Sequence, residues 1–243
     1  MKHHLHKALI AICTLLLWGN KGKAEDTIKF ATCADYPPFE YYDNGKITGF
    51  EVELGQLVAK ELGKKAVFEN IMPFTTILAA IQNGFVEAGI STITATEERR
   101  KNYDFSASYY SESLAVIYKK NSSIIEQSQL IGKKIACQLG TTMEKWLKQH
   151  IDNAEITLMD NNNQVIEALK AGHVEYAIMD EYQAKAFSEK NPNLLYTVIA
   201  QSDDGYAIAV KKGSPLKEEI NAALIALEAK GEIQKLKQKW LHN

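Results

Sequence analysis

The sequence predicts an α/β fold, in which helices cover parallel sheets. From Ile28 onward, short runs of β-type residues alternate with stretches in which apolar residues recur at helical spacing. The same order of elements recurs in the second half of the chain, although the residues themselves do not repeat, and this indicates two similar lobes. With 243 residues, 46% of them apolar, the chain can bury a sizeable core.

The first half of the chain begins with a strand over residues 28–33 and a hairpin at residues 43–46, where Asn44 and Gly45 form the signature of a tight turn. A helix follows and ends at Gly63, which fits a C-terminal cap. The inward face of this helix comprises Leu54, Leu57, Val58 and Leu62. The remaining elements are a strand over residues 67–71, a helix with Phe74, Ile77, Leu78 and Ile81 inward, and a strand over residues 88–92.

The second half repeats this alternation. Strands are predicted over residues 135–137, 156–158 and 174–179. Two helices lie between them, marked by Met143, Trp146, Leu147 and His150 and by Val165, Ile166 and Leu169. The C-terminal part is helical, with Leu216, Ile220, Leu224 and Leu227 before Gly231 and with Ile233, Leu236 and Trp240 after it. No low-complexity linker is visible, so ordinary strands or short connections must join the lobes.

Residues 1–24 have the composition of a secretory signal peptide. Lys2 and Lys7 precede an apolar run over residues 8–18, and small residues flank a cleavage site after Ala24. The run is too short to cross a bilayer of about 30 Å. We therefore expect a secreted, periplasmic protein, with a membrane anchor as the alternative.

The cysteines and histidines of the leader carry no site in this interpretation. Cys13 follows Ile12 inside the apolar run, where a lipid-attachment site needs a small residue. A metal tract would comprise His3, His4 and His6, which belong to the segment that is removed.

Cys33 and Cys137 remain in the mature chain, in a compartment that permits disulfides. They end predicted strands in different halves of the chain, so we expect two unpaired thiols.

Charge and motif content argue against several functional classes. The formal net charge is −2 with both signs spread along the chain, so no basic stripe is available for nucleic acid. The mature sequence contains no Cys-x-x-Cys, no glycine-rich phosphate loop and no His-Glu-x-x-His motif, and its histidines are scattered at His150, His173 and His242. We expect no cofactor, no metal and no catalytic activity.

The carboxyl ends of the predicted strands hold the candidate binding residues, as in other open α/β sheets. Capping-box patterns, Thr-x-x-Glu, occur at residues 94–97 and 141–144, in equivalent places of the two lobes. Arg99 lies one turn into the first of these helices, and Asp180 follows a buried strand. Each feature also has a simpler explanation. Arg99 can be an exposed helical arginine, and the threonines and Asp180 can simply cap their helices. The aromatic turn at residues 36–39, which follows the first strand, can be explained by surface packing.

Taken together, these segments resemble the periplasmic solute-binding proteins of polar amino acid ABC transporters. The resemblance covers nearly the whole mature chain and runs through residues 35–41 (DYPPFEY), 45–50, 94–99, 103–106, 109–110, 132–134, 139–142, 170–172, 179–180, 230–231 and 239–241. It implies a two-lobed periplasmic binding protein fold of type II, with a sheet flanked by helices in each lobe and two hinge strands between them.

The resemblance also implies roles for individual residues. Arg99 would bind the α-carboxylate of an amino acid, helped by threonines of both lobes, and Asp180 would bind the α-ammonium. Tyr36 and Phe74 would enclose the side chain. The complete predicted site is Cys33, Asp35, Tyr36, Glu40, Phe74, Ser91, Thr92, Thr94, Arg99, Thr141, Thr142 and Asp180. Because its charged residues come from different lobes, the ligand would stabilise the closed form.

The specificity of the site depends on its acidic residues. This chain has Cys33 where binders of basic amino acids commonly carry an acidic residue, but Asp35 and Glu40 can serve a cationic side chain. We predict arginine or lysine as the ligand, with glutamine, histidine and cystine as alternatives. A dehydratase of cyclic amino acid precursors on the same fold and a sensing or adhesion module are the rival classes.

The partner implied by the resemblance is the membrane permease of an ABC transporter, with the binding protein acting as a monomer. One lobe is predicted to hold residues 25–111 and 204–243, and the other residues 112–203. The hinges are predicted near residues 111–114 and 202–205.

Overall fold

The structure is a computed structural model that describes residues 26–111, 113–122, 126–202 and 204–241. The predicted signal peptide, residues 1–24, lies outside this part of the chain, as does His242. Within the ranges just given, no helix combines the length and apolar character needed to cross a membrane.

Strands and helices alternate along the chain, as predicted. The first half contains β1 (Thr27–Thr32), β2 (Asp35–Tyr36), β3 (Glu40–Asp43), β4 (Lys46–Thr48), α1 (Phe50–Glu61), β5 (Lys65–Asn70), α2 (Ile77–Gln82), β6 (Ala88–Gly89), α3 (Glu97–Arg100) and β7 (Tyr103–Phe105). The second half contains β8 (Ser113–Lys119), β9 (Lys134–Gln138), α4 (Thr142–His150), β10 (Glu155–Met159), α5 (Asn162–Ala171), β11 (Tyr176–Asp180), α6 (Glu181–Lys190), β12 (Leu194–Gln201), β13 (Ala209–Lys211), α7 (Leu216–Ala229) and α8 (Glu232–Trp240). Short 3-10 turns occur at Phe74–Thr76 and Gln127–Leu130.

Two five-stranded sheets share one topology. The first has the order β5-β1-β6-β13-β7, in which the first three strands are parallel and β13 is antiparallel to both of its neighbours. The second has the order β10-β9-β11-β8-β12, again with three parallel strands followed by an antiparallel one. The predicted α/β class with two similar lobes is confirmed.

Each sheet is packed on both faces by apolar residues, which form four core clusters, two for each sheet. Strands of the first sheet come from residues 27–105 and 209–211, and strands of the second from residues 113–201. The lobe and hinge boundaries drawn from the sequence stay predictions. Cys33 and Cys137 are buried and unpaired, one in each lobe.

Turn chemistry explains the local chain reversals. Asn44 and Gly45 both have positive φ, 48° and 78°, and connect β3 to β4 in the predicted hairpin. Gly63, with φ of 67°, follows α1 as a C-terminal glycine.

Three local predictions need correction. The strand predicted over residues 88–92 ends at Gly89, because Thr92 turns to a positive φ of 46° and gives its N–H to a side chain. The first predicted capping box is wrong, since Thr96 and not Thr94 caps α3. In the second, Thr141 is the N-cap residue of α4, but its hydroxyl donates to Gln138 O at 2.7 Å.

Candidate functional site

One cavity lies between the two lobes, at the carboxyl ends of the central strands. Its walls bound about 460 Å³ of space, part of which is open to solvent, and are formed by nine residues of the first lobe and seven of the second. All of the predicted site residues lie on its walls: Cys33, Asp35, Tyr36, Glu40, Phe74, Ser91, Thr92, Thr94, Arg99, Thr141, Thr142 and Asp180. The position fits the general rule that ligands of open α/β sheets bind outside the strand ends.

Arg99 is the cation of the site. Its Nη1 donates to Thr94 O at 2.9 Å, and its Nη2 donates to Gly140 O of the facing lobe at 3.0 Å. The guanidinium lies 5.8 Å from the centre of the Phe74 ring. Burial lowers the pKa of Arg99 to about 10, so the side chain remains charged at neutral pH. A guanidinium has five N–H groups, so three remain for an anion.

Asp180 is the anion contributed by the second lobe. It precedes α6 as the N-cap residue, yet its side chain makes no capping bond, which argues against the simple capping explanation. Instead it accepts a short hydrogen bond from the Tyr36 hydroxyl of the first lobe. Burial raises the pKa of Asp180 to about 6, and hydrogen bonds from the Tyr206 and Tyr36 hydroxyls oppose this rise.

An acidic wall, formed by Asp35 and Glu40, lies on the first lobe. The Cys33 thiol donates to Asp35 Oδ1 at 3.5 Å, and the Ser91 hydroxyl donates to Glu40 Oε1 at 2.9 Å. The second oxygens, Asp35 Oδ2 and Glu40 Oε2, are buried and receive no hydrogen bond from an N–H or hydroxyl group in the described part of the chain. Burial raises the pKa of Asp35, because the charged form loses hydration there.

The neighbouring Cys33 is a buried, unpaired thiol of low acidity. Burial, followed by the charge of Asp35, raises the pKa of its thiol to about 12. The thiol therefore stays protonated, and its hydrogen orients the Asp35 carboxylate.

Direct contacts hold the lobes together around the cavity. Lys145 Nζ lies 2.5 Å from Glu98 Oε2, and Gln183 Nε2 donates to Pro37 O across the interface. Gly140 also packs closely against the first lobe: a Cβ atom at this position would lie 2.6 Å from Thr75 Cγ2. The lobes are thus closed.

A sequence profile of the bacterial extracellular solute-binding proteins, family 3, matches residues 28–243. The chain belongs to this family. It is similar to the arginine-binding extracellular protein ArtP of Bacillus subtilis (strain 168), with 32% identity covering 96% of this chain and 95% of ArtP. It is also similar to the L-cystine-binding protein TcyJ of Escherichia coli (strain K12), with 31% identity covering 91% and 85% of the two chains.

Solved structures agree with this assignment. An ancestral arginine-binding protein bound to glutamine is 35% identical, with a TM-score of 0.84 covering 90% of this chain and 99% of that one. The predicted two-lobed, type II periplasmic binding protein fold is confirmed for this solute-binding protein.

Four further residues line the cavity of this solute-binding protein and were not predicted: Gln138, Met143, Asn162 and Ile178. Gln138 ends β9 and Asn162 begins α5, so the rule that strand ends face the ligand would have found both. Met143 and Ile178 follow the apolar period of their elements and are indistinguishable from core residues in sequence.

Proposed function

We propose that this protein binds one basic amino acid, arginine or lysine, between its lobes. The observation that carries the proposal is a buried carboxylate oxygen of the acidic wall, Asp35 Oδ2, that lacks an N–H or hydroxyl donor among the described residues. Buried carboxylates need donors, and a guanidinium or ammonium supplies them together with an opposite charge. ArtP, one of the relatives, is named as an arginine-binding protein.

The two ends of the backbone moiety are matched by fixed charges. The α-carboxylate lies on Arg99 with the Thr94 and Thr142 side chains beside it, and the α-ammonium lies on Asp180. Thr141 sits next to this carboxylate pocket, at the N-terminus of α4. Because Arg99 and Asp180 belong to different lobes, a ligand that touches both stabilises closure, and closure is the shape signal that a transporter reads.

The side chain of the ligand lies between Tyr36 and Phe74 and points to the acidic wall. Ser91 and Thr92 complete this part of the pocket. Glutamine, histidine or cystine are the alternatives, since TcyJ is named as a cystine-binding protein and Cys33 is present at the pocket. A neutral ligand, however, would leave Asp35 Oδ2 without a positively charged donor.

Delivery to the permease of an ABC transporter follows from membership in the family. We place the mature protein in the periplasm, after cleavage of the leader at Ala24, as a monomer that does not bind nucleic acid. The formal net charge of −2 supports the last point.

We also propose that the protein is not an enzyme. Asp180, Asp35 and Glu40 are the available acid–base groups, and each is assigned to a charge of the ligand. The thiols of Cys33 and Cys137 have pKa values of about 12, so neither supplies a nucleophilic thiolate. A dehydratase on this fold would turn over prephenate or arogenate, and we expect no turnover of either.

A thermal-shift screen of the mature protein, from Glu25 onward and stripped of bound ligand, tests the proposal. A ligand that binds only the folded state raises the melting temperature by mass action. We expect the largest shifts with arginine or lysine and smaller or no shifts with glutamine, histidine and cystine. A larger shift with a neutral amino acid would overturn the basic specificity, and no shift with any amino acid would overturn the binding function.

A further inference from the structure

A second buried carboxyl group lies directly behind the acidic wall. Glu51, in the first turn of α1, is 0% exposed and does not line the cavity, whereas Glu40, which does, is 1% exposed. Glu40 accepts a hydrogen bond from the Ser91 hydroxyl and Glu51 accepts one from the N–H of the adjacent Thr92, and the two carboxyl groups hydrogen-bond to each other. No lysine, arginine or histidine among the described residues forms an ion pair with either, which sets this pair apart from surface acids such as Glu53.

This contact requires a proton. Ionised carboxylates only accept hydrogen bonds, so two of them bond to each other only when one is protonated. Glu51 already accepts bonds from Thr92 N, at 2.8 and 3.0 Å to its two oxygens, and from the Tyr109 hydroxyl. Glu40 accepts from Ser91 alone. The Glu51 carboxylate is therefore stabilised by more hydrogen bonds than the Glu40 carboxylate, so Glu51 is the anion and Glu40 holds the proton.

The groups around the pair favour the same distribution. Burial raises the pKa of Glu40 well above its ordinary value, and the charges of Glu51 and then Asp35 raise it further. Burial also raises the pKa of Glu51, but hydrogen bonds from Glu40, Tyr109 and Thr92 lower it. The Tyr109 hydroxyl stays neutral, because burial and the charge of Glu51 raise its pKa. Like-charge pairs in other buried sites share one proton for the same reason.

We propose that Glu51 is a specificity-determining residue: with Glu40 it keeps one proton at the back of the pocket, and the cationic side chain of a ligand is accepted with release of that proton to solvent. The inference deepens the proposed function and rests on it. A guanidinium N–H donates to Glu40 Oε2 and its charge stabilises two carboxylates, so the shared proton moves to water. A neutral side chain leaves the proton in place.

A purely structural role is the competing explanation. Glu51 holds the N–H of Thr92, whose positive φ of 46° is unfavourable for a β-branched residue, and so fixes the loop that carries Ser91 and Thr94. That role is the same for every ligand. It predicts no difference in proton uptake or release between a charged and a neutral side chain.

Proton counting on the wild-type mature protein compares a cationic ligand with a neutral one, and the variants described below then distinguish the Glu40–Glu51 pair from Asp35, whose pKa burial also raises. Isothermal titration calorimetry in buffers of different ionisation enthalpy counts the protons released per ligand, and citrulline is a neutral isostere of arginine. The α-ammonium contact with Asp180 is common to both ligands and cancels in the comparison. We expect arginine to release up to about one proton more than citrulline, and its affinity relative to citrulline to fall by up to about tenfold per pH unit on acidification from pH 8 to 5.

Substitutions identify the carboxyl group that releases the proton when arginine binds. In Glu51→Gln, the amide oxygen accepts from Thr92 and the amide N–H donates to Glu40, so no proton is needed and the extra release with arginine should disappear. In Asp35→Asn it should persist. Glu53→Gln is the matched control, because Glu53 lies on the same helix and pairs with Lys239 Nζ at 2.5 Å at the surface. It should behave as wild type.

Each outcome of these titrations either supports or overturns the inference. Equal proton release for arginine and citrulline in the wild type, or full release in Glu51→Gln, would overturn the inference while leaving the proposed function intact. Loss of the extra release in Asp35→Asn but not in Glu51→Gln would assign the proton to Asp35 and overturn it as well. Failure of both arginine and lysine to bind would overturn the proposed function and the inference together.

Discussion

Removal of the guanidinium in Arg99→Ala should weaken every amino acid ligand, whatever its side chain. The wild-type guanidinium uses two of its N–H groups on Thr94 O and Gly140 O and offers the others to the α-carboxylate. A charge-assisted hydrogen bond contributes about 1.5 to 3 kcal/mol, so the variant should lose roughly tenfold to a hundredfold in affinity.

Isothermal titration calorimetry of the variant with arginine, lysine and glutamine measures this loss. Arg99→Lys is the control, since it keeps the charge without the planar fork and should retain part of the affinity. The melting temperature of the ligand-free variant should not fall, because the substitution removes a buried cation whose pKa is already lowered by burial. Unchanged affinity, or a loss confined to one ligand, would refute the carboxylate assignment.

Three further substitutions test other parts of the site. Asp35→Asn should weaken arginine by about tenfold and leave glutamine unchanged in the same titrations; an equal loss for both would exclude a role in side-chain recognition. Burial raises the pKa of Asp180 to about 6, so the ligand-free protein loses stability as pH rises from 4 to 7. Asp180→Asn should remove this loss, which amounts to up to about 3 kcal/mol in denaturant titrations. A pH profile identical to that of the wild type would show that Asp180 does not titrate with a raised pKa. Gly140→Ala should lower the affinity for the ligand, because the new Cβ would meet Thr75 Cγ2 at 2.6 Å across the closed interface. Gly132→Ala is the control, since Gly132 has a similar positive φ but open space around it, and this variant should lower only the stability of the protein. Equal affinities for the two variants would show that the close approach at Gly140 does not limit closure.

The alternation of strands and helices was predictable because it depends on local periodicity. Residues 135–137 and 156–158 fall within observed strands, as do residues 28–32 of the first predicted strand, and the C-terminal helices begin and end near the predicted glycine. The order of strands in each sheet did not follow from periodicity. It depends on antiparallel partners far apart in sequence, such as β13 beside β6, and β7, β8, β12 and β13 were not predicted as strands at all.

Twelve of the sixteen cavity residues were predictable, since the resemblance and the strand-end rule point to the same places. Other features of the site escaped prediction because they depend on non-local contacts. Thr92 ends its strand early because its N–H meets Glu51, 41 residues away in sequence. Glu51 and Glu53 look alike in sequence, but only Glu51 shares helical spacing with the inward-facing Leu54 and Val58. That spacing was the available signal for its burial.

A crystal structure of the mature protein with bound arginine tests the central claim most directly. We expect the α-carboxylate on Arg99, the α-ammonium on Asp180 and the guanidinium within hydrogen-bond distance of Asp35 or Glu40. A ligand bound in the reverse orientation, or with its guanidinium away from the acidic wall, would contradict it.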